Sequence, residues 1–257
     1  MASIQRIDGP IPRWRLTQSS SSVDIAPSRG GLVTSFVSDG EEVLSLDEAT
    51  FSDVTKNVRG GVPLLFPFAG KTPPGSSLPQ HGFARRLPWS VTSAVGDDDT
   101  ARLECELKSS PETLAGWPHE FHATFAVSLF DGRLMLEWAF TSLRGAMPLH
   151  FGIHPYFRVF DKTNVRVDGV QHSSFARGEI DEHFTPFELG ATTLHRGDGS
   201  KVHLSWTPQF QTLVVWTLPD KPFVCVEPWT APGAQPARHE VREGATERLA
   251  VEVRFER

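Results

Sequence analysis

Cysteine is scarce in this sequence. Only two of its 257 residues are cysteines, Cys105 and Cys225, and both lie in apolar, strand-like surroundings. Two cysteines are too few for the disulfide framework of a small secreted domain, and apolar neighbours favour buried thiols. We therefore expect both thiols to be free and the protein to be cytoplasmic.

Long apolar runs and an excess of positive charge are also missing. No stretch reaches the roughly 18 apolar residues of a membrane helix, and the N-terminal residues lack the apolar segment of a signal peptide. The net charge is −6, with 25 Lys and Arg against 31 Asp and Glu. This balance provides no basic patch for nucleic acid and disfavours anionic membranes. We expect a small-molecule partner, no nucleic acid, no membrane, and a monomer or weak homodimer.

The sequence is instead rich in short β-like segments separated by turn residues. The clearest is a hairpin about Asp131-Gly132, a dipeptide typical of two-residue hairpin turns. Counting outward from this turn places four apolar pairs on one face: Leu129 with Leu134, Val127 with Leu136, Phe125 with Trp138, and Ala123 with Phe140. Similar segments continue to the alternating stretch 248–256, and no linker or repeat interrupts them. These features predict an all-β sandwich or barrel, as a single domain over residues 1–257.

One stretch, 148–160, carries an unusual row of polar side chains. Read as an extended strand, it has one apolar face, while the other carries His150, Gly152, His154 and Tyr156. Gly152 leaves a gap where a ligand could approach the backbone, and Pro155 denies the ladder a donor. The pattern indicates a site at a strand edge, bulge or end, although a solvated face with scattered histidines fits this segment equally well.

A second segment, 223–227, ends on a carboxylate. Phe223, Cys225 and Glu227 share one face, and Pro228 is expected to stop the strand directly after Glu227. A carboxylate among apolar residues and close to Trp229 should have a raised pKa and be suited to proton transfer. The alternative from this segment alone is a carboxylate that caps a turn or pairs with an arginine.

Residues 56–90 form a third notable segment, because they are rich in glycine and proline. Apolar residues alternate there with Arg59, Gln80, His81, Arg85 and Arg86. A long irregular segment inside a compact domain is usually a functional loop.

Four motifs in these segments resemble, in order, the landmark motifs of the aldose 1-epimerase (galactose mutarotase) family. They are Arg59-Gly-Gly-Val-Pro-Leu-Leu-Phe-Pro, Pro79-Gln-His-Gly-Phe-Ala-Arg85, His154-Pro-Tyr-Phe157 and Glu227-Pro-Trp-Thr-Ala-Pro-Gly233. The resemblance extends over most of the chain, from about Gly30 to the C-terminus. It implies a β-supersandwich of mainly antiparallel sheets that interconverts the α and β anomers of an aldose, with no cofactor and no metal.

The resemblance also implies roles for particular residues. His154 matches the general acid that acts on the ring oxygen, and Glu227 matches the general base that takes the proton of the C1 hydroxyl. The expected substrate-binding residues are Arg59 and His81, together with their neighbours Gln80 and Arg85. An aspartate is also expected to hold a ring hydroxyl, and either Asp168 or Asp181 can be that residue.

The motifs leave the substrate open between two branches of the family. The 79–85 motif is closer to the hexose-6-phosphate branch, whereas the 154–157 and 227–233 motifs resemble the free-sugar branch. A phosphate dianion calls for convergent cations, which Arg59, Lys71, Arg85 and Arg86 can supply, although ordinary loop ion pairs explain these residues as well. From the sequence we favour a free aldose.

Two other classes of protein fit part of this pattern. His150, His154 and Glu227 resemble a two-histidine, one-carboxylate metal set. However, residues four apart on a strand are about 13 Å apart, which is too far for one ion unless the strand folds at Gly152. The other class is a non-catalytic carbohydrate-binding or regulatory module on the same fold. Pure binding does not require both His154 and Glu227.

Overall fold

The computed structural model describes residues 1–72, 75–172, 174–233 and 239–257. Within these ranges the strands are β1 (Ser3–Ile7), β2 (Arg13–Gln18), β3 (Ser21–Ala26), β4 (Leu32–Ser38), β5 (Glu41–Glu42), β6 (Leu64–Leu65), β7 (Ser90–Gly96), β8 (Thr100–Lys108), β9 (Glu120–Phe130), β10 (Arg133–Arg144), β11 (Met147–Leu149), β12 (Gly152–Ile153), β13 (Tyr156–Arg158), β14 (Arg166–Val167), β15 (Ile180–Phe184), β16 (Ala191–His195), β17 (Lys201–Trp206), β18 (Thr212–Thr217), β19 (Phe223–Trp229), β20 (His239–Val241) and β21 (Thr246–Glu256). The helices are short: α1 (Glu48–Ser52), α2 (Pro111–Gly116) and the 3₁₀ turns Pro27–Arg29 and Ala84–Arg86.

The strands form three large sheets. The first sheet contains β1 to β5 in chain order, and the second has eight strands in the order β14-β16-β17-β21-β10-β9-β8-β7. The third sheet has the order β15-β18-β19-β12-β6, with β13 also paired to β19. β11 and β20 pair separately. All the strand pairs named here are antiparallel, which confirms the predicted all-β, mainly antiparallel fold.

The predicted hairpin is confirmed residue by residue. The register of β9 and β10 pairs the same eight apolar residues that were matched by counting outward from the turn. Asp131 and Gly132 both have positive φ, 48° and 67°, as this two-residue turn requires. All eight side chains are buried. A register slip of one residue would turn them towards solvent, so their burial fixes the register.

A continuous apolar core joins the three sheets. Phe125 and Trp138 of the second sheet stack at a centroid distance of 5.2 Å, and Phe151 packs against Trp138 at 4.9 Å. Leu16 and Ile25 of the first sheet belong to the same buried cluster. The single-domain organisation remains a prediction that this continuity favours.

Two smaller predictions also concern the described residues. Cys105 and Cys225 are both buried and free, as the sequence predicted. No helix among the described residues is long and apolar enough to cross a membrane.

The stretch 148–160 is not a single strand. β11 pairs with β20 outside the third sheet, and β12 and β13 both pair with β19 but are separated by His154 and Pro155. The backbone N–H of His154 instead donates to Pro63 O at 3.0 Å, and that of Tyr156 donates to Gly61 O at 2.9 Å. The third sheet therefore has a break in the strand next to β19, and His154 lies in that break.

Candidate active site

A cavity of about 870 Å³ lies over the third sheet. Side chains of β13, β15, β18 and β19 contribute to it, together with residues 50–59 and 70–85. All six site residues expected from the sequence line this cavity: Arg59, Gln80, His81, Arg85, His154 and Glu227.

His154 is held in place by the break between β12 and β13. Its side chain is largely buried and stacks on the ring of Tyr156, with centroids 4.7 Å apart and planes 12° apart. Its Nε2 atom lies 3.4 Å from Glu227 Oε1. The imidazole therefore faces the carboxylate with little freedom to rotate.

Glu227 lies inside β19 and not at a strand end, so the prediction that Pro228 stops the strand was wrong. β19 continues through Pro228 to Trp229, and Pro228 pairs in register with Leu213 of β18. On the other side of β19, Gly152 pairs with Trp229 and Tyr156 with Cys225, which leaves residues 226–228, including Pro228, without a paired residue on that side. A proline, which lacks a backbone N–H, is tolerated at this position because no carbonyl of a neighbouring strand would accept a hydrogen bond from it.

Burial determines the protonation of the two side chains. Glu227 is almost completely buried, and this raises the pKa of its carboxyl well above the usual 4.5, although the indole N–H of Trp229 donates to Oε2 at 3.2 Å and opposes the shift. Burial, and then the charge of Arg85, lower the pKa of His154 from 6.5 to about 3. Both shifts favour the uncharged forms, so burial disfavours an ion pair of a charged imidazole and an ionised carboxylate in the empty cavity.

His81 is positioned by a strained turn. It has φ of +64°, which is unusual for a residue other than glycine. Its Nδ1 accepts the backbone N–H of Gly70 at 3.0 Å, and burial lowers the pKa of the ring to about 2. The neutral ring must then carry its hydrogen on Nε2, which is a hydrogen-bond donor at the cavity. The amide nitrogen of Gln80 lies 3.3 Å from Nε2, and a turned amide would let its oxygen accept this N–H when no ligand is bound.

The two arginines differ in their surroundings. Arg85 is partly buried, its Nη2 donates to Gln80 O at 2.9 Å, and burial lowers its pKa to about 10. Arg59 is exposed at the cavity, and its backbone N–H donates to Thr50 Oγ1 at 3.0 Å. Arg85 thus places a fixed positive charge close to the His154–Glu227 pair, whereas the Arg59 side chain is available to a ligand.

The structure separates the two candidate aspartates. Asp181 of β15 lines the cavity, and its charge contributes to the raised pKa of Glu227. Asp168 lines a different depression and lies 3.1 Å from His195 Nε2. Only Asp181 is therefore placed to contact a ligand next to Glu227.

Sequence reasoning missed His183 and Trp216. His183 follows Asp181 by two residues on the same face of β15, and its Nε2 lies 3.2 Å from Asp181 Oδ1. Its ring is perpendicular to that of Trp229, with centroids 5.2 Å apart. Trp216 lines the cavity from β18. The alternation in Ile180–Phe184 could have linked His183 to Asp181, but nothing in the sequence places β15 beside β18.

Gly152 does not leave a gap for a ligand, contrary to the sequence interpretation. A β-carbon at this position would lie 2.5 Å from Cδ1 of Trp229, so the indole fills the space. Since the same indole donates to Glu227, the glycine is needed to seat Trp229 beside the carboxylate.

We expect Gly152→Ala to move the Trp229 indole and to lower both stability and any activity that depends on Glu227. Overpacking of a close-packed interior typically costs about 1–3 kcal/mol. Urea unfolding and an activity assay on the same preparation measure the two effects. Gly9→Ala, where the added carbon would have nothing nearer than Ile11 O at 4.0 Å, is the matched control. Wild-type stability in Gly152→Ala would contradict the assigned role.

His150 does not join His154 at the site. Its Nε2 lies 3.1 Å from Ala231 O, and its ring packs against Phe68. The metal set of His150, His154 and Glu227 weighed from the sequence is therefore not assembled. One potential ligand atom from each of His154, Cys225 and Glu227 does lie within 4.8 Å of the others.

The sequence is similar to proteins of one family. The model of the family described as Aldose 1-epimerase matches residues 12–180. A protein of Salmonella typhimurium is 38% identical over 132 residues, which are 51% of this chain and 42% of the relative. A protein of Cenchrus ciliaris is 33% identical over 187 residues, 68% of this chain and 55% of the relative. Both are named "Putative glucose-6-phosphate 1-epimerase". The chain spans about half the length of these curated relatives.

Solved structures share the whole fold. The Slr1438 protein of Synechocystis sp. PCC 6803 superposes with a TM-score of 0.88 at 28% identity, covering 99% of this chain and 96% of that chain. A galactose mutarotase-like protein of Clostridium acetobutylicum gives 0.83 at 18% identity, covering 99% and 98%, which shows the fold alone. These likenesses confirm the predicted β-supersandwich. Since the family match extends over more than half of the residues, the chain belongs to the aldose 1-epimerase family.

Proposed function

We propose that this protein is an aldose 1-epimerase that interconverts the α and β anomers of a hexose 6-phosphate by acid–base ring opening and closure. The observation that carries the proposal is the buried pair of His154 and Glu227, whose facing atoms are 3.4 Å apart beside a cavity large enough for a sugar. A carboxylate and an imidazole at hydrogen-bond range can take one proton and give another.

Each half-reaction moves two protons and breaks or forms one bond. In ring opening, Glu227 takes the proton of the C1 hydroxyl, the bond between C1 and the ring oxygen breaks, and protonated His154 gives its proton to that oxygen. Rotation about C1–C2 then exposes the other face of the aldehyde. Closure reverses both transfers. Because mutarotation already occurs in water, two positioned groups worth about 10²–10⁴-fold each are sufficient.

The preferred protonation of the empty site fits the closing step. A protonated Glu227 can give a proton to the carbonyl oxygen, while neutral His154 takes the proton of the attacking hydroxyl. The opening step uses the other arrangement of the same single proton, with Glu227 ionised and His154 charged. The two protonation states differ only in whether the proton lies on Glu227 or on His154. Ring opening and ring closure therefore use the same single proton.

The remaining cavity side chains hold the sugar in this scheme. His81 presents its Nε2–H to a sugar oxygen, Asp181 accepts from a ring hydroxyl, and Trp216 or Trp229 offers an aromatic face to the sugar ring. None of these roles requires a change of protonation. They fix the substrate so that C1 and the ring oxygen lie between the acid and the base.

The choice of a phosphorylated hexose over a free one departs from the sequence-based preference. Four cations line the cavity, and Lys56, Arg59 and Lys71 are exposed there. Within the described parts of the chain, no carboxylate lies within 4 Å of the Arg59 or Lys71 side chain. Two exposed cations without an ion-pair partner suit a dianion, and both curated relatives carry a hexose-phosphate name. A free aldose is the second candidate.

The other expectations remain part of the proposal. We propose a cytoplasmic enzyme that needs no cofactor or metal, acts on a small molecule without nucleic acid or membrane, and exists as a monomer or weak homodimer. A non-catalytic carbohydrate-binding module accounts less well for the site, because burying Glu227 against His154 is costly and binding alone does not need it.

We expect the protein to accelerate anomer exchange of glucose 6-phosphate more than that of glucose or galactose. Exchange between the α and β anomer NMR signals, with and without protein, measures the rates directly. A higher rate for a free sugar would select the free-aldose candidate. Uncatalysed rates for all three sugars, together with sugar-dependent shifts of the protein's own signals, would replace the enzyme by a binding module.

A further inference from the structure

The exposed cations of the cavity come partly from one loop, residues 47–59. The ends of this loop are held together by a bridge between Leu46 and Gly60, and Asp47 caps α1 inside it. The loop contributes five residues to the cavity: Thr50, Lys56, Asn57, Val58 and Arg59. His154 lies in the break of the third sheet and Glu227 lies in β19. The ends of the loop reach this frame beside Tyr156, whose N–H donates to Gly61 O at 2.9 Å and whose carbonyl accepts from Ser45 N at 2.8 Å, so residues 50–59 are the part of the loop that needs its own support.

A buried arginine from another part of the fold holds this loop. Arg29 ends the 3₁₀ turn after β3 and is only 7% exposed. Its Nε donates to Phe51 O at 3.2 Å, and its Nη2 lies 3.1, 2.8 and 2.7 Å from the carbonyl oxygens of Thr50, Asp53 and Lys56. One guanidinium thus binds four carbonyls of the loop.

The chemistry of this contact is unusual for a purely structural arginine. Burial lowers the pKa of Arg29, and all four acceptors are neutral carbonyls. Among the described residues, no carboxylate forms an ion pair with it. The charge of Asp53 opposes this shift without a direct ion pair. Burying a cation whose direct partners are all neutral carbonyls is costly, and an apolar side chain could not make these four hydrogen bonds. Only a planar fork of donors can gather carbonyls from three sides of a loop.

The same turn also contacts residues 80–86, the second cationic segment, which brings Arg85 to the cavity. A β-carbon on Gly30, the residue after Arg29, would lie 2.2 Å from Arg85 O, so the turn lies directly against the backbone of Arg85. Trp89 N donates to Pro27 O at 3.0 Å. Finally, Arg86 Nε donates to Asn57 Oδ1 at 2.9 Å, which ties the two cationic segments to each other. The turn therefore sits where both segments meet.

We propose that Arg29 is a positioning residue for substrate recognition: its guanidinium fixes the carbonyls of residues 50–56 and so holds Arg59, whose N–H donates to Thr50 Oγ1, at the cavity, where its side chain binds the phosphate of the substrate. Lys56 lies beside it and is paired with Asp53 at 3.1 Å. The phosphate part rests on the proposed function. Contacts to a phosphate remote from C1 are the same before and during ring opening. Their loss therefore raises KM and leaves kcat nearly unchanged.

The test compares Arg29→Met and Arg29→Lys with the wild-type protein. Methionine keeps much of the apolar stem but donates no hydrogen bond, whereas lysine keeps the charge without the fork. We expect KM for glucose 6-phosphate to rise about tenfold in Arg29→Met, with kcat within about twofold. This rise is the effect of losing one charge-assisted hydrogen bond between the displaced loop and the phosphate. Arg29→Lys should fall between the two. Turnover of free glucose, where measurable, should not change.

A matched control separates positioning from general stability. Arg15 of β2 makes two 2.7 Å hydrogen bonds to Asp24 of β3, the strand before the Arg29 turn, but it does not line the cavity. Arg15→Met should lower the thermal midpoint without raising KM. Hydrogen–deuterium exchange, followed in peptides covering residues 48–59, should speed up in Arg29→Met and not in Arg15→Met.

The outcomes divide clearly. A rise in KM with faster exchange confined to the loop supports the proposal. Unchanged KM and exchange in Arg29→Met would overturn it, as would an equal loss of kcat for phosphorylated and free sugars. If the wild-type protein accelerates no anomer exchange, the proposed function fails. Hydrogen–deuterium exchange of residues 48–59 then decides by itself whether Arg29 holds the loop.

Discussion

Glu227→Gln is expected to lower kcat/KM for anomer exchange by about 10²–10⁴-fold while leaving the fold intact. Glutamine has the shape of the protonated glutamic acid that the buried site favours. Its carbonyl can still accept the indole N–H of Trp229, and its NH₂ can donate to the neutral ring of His154. It cannot take the proton of the C1 hydroxyl, so only the chemical step is removed.

The same substitution makes a prediction about stability with a definite sign. The unfolded chain ionises Glu227 near its ordinary pKa of 4.5, whereas the folded protein keeps the carboxyl protonated to a higher pH. Between these two values the folded state binds more protons, so the contribution of Glu227 to stability falls as pH rises. Glu227→Gln removes this loss. Its thermal midpoint should therefore exceed that of the wild type by an amount that grows above pH 4.5. A variant that is inactive and also less stable at neutral pH would show that Glu227 is needed for folding, not chemistry.

His154→Gln is expected to reduce kcat by about 10²–10⁴-fold, because an amide cannot deliver a proton to the ring oxygen. The loss should fall on kcat more than on KM, since in the proposed mechanism His154 acts in the transition state and other residues hold the sugar. Anomer exchange measured over a range of sugar concentrations separates the two constants. A rate close to that of the wild type would remove His154 from the mechanism.

His150→Gln is the matched control for that experiment. His150 is equally buried and lies four residues earlier, but it contacts Ala231 O and does not line the cavity. Its loss should lower stability and leave kcat within about tenfold of the wild type, an allowance for its contact beside the 227–231 segment.

The pH dependence of the stability of His154→Gln adds a second check. Because the folded pKa of His154 is about 3 against 6.5 in the unfolded chain, the wild type loses stability from this group as pH falls between those values. The variant should not.

The sequence was sufficient for those features that local rules decide. The Asp131-Gly132 turn and the apolar pairs beside it set the register of β9 and β10, because one face had to be buried. The resemblance of four ordered motifs then supplied the β-supersandwich and the six cavity residues. These predictions share one property: each depends on a short, contiguous piece of chain whose composition is unusual.

Features that depend on distant pairing were not predicted. Pro228 was expected to end its strand, and it does not, because residues 226–228 have no paired residue on the side of β12 and β13. Gly152 was read as space for a ligand, whereas Trp229, far along the chain, fills it. Asp181 could not be chosen over Asp168, since only the pairing of β15 with β18 brings Asp181 to the cavity. In each case the deciding neighbour lies more than 20 residues away in sequence, and no local pattern encodes it.

The break beside β19 has an evolutionary consequence. The proposed acid, His154, lies in this break, and the proposed base, Glu227, lies in β19, which is paired along its length with β18. The cations, in contrast, are carried by the 47–59 and 70–85 segments, which join that frame at a few defined points such as Arg29. A lineage can therefore exchange these segments to accept a new sugar while its proton-transfer step remains unaltered. Under the proposed function, catalysis and substrate range would then be separately heritable traits of one fold.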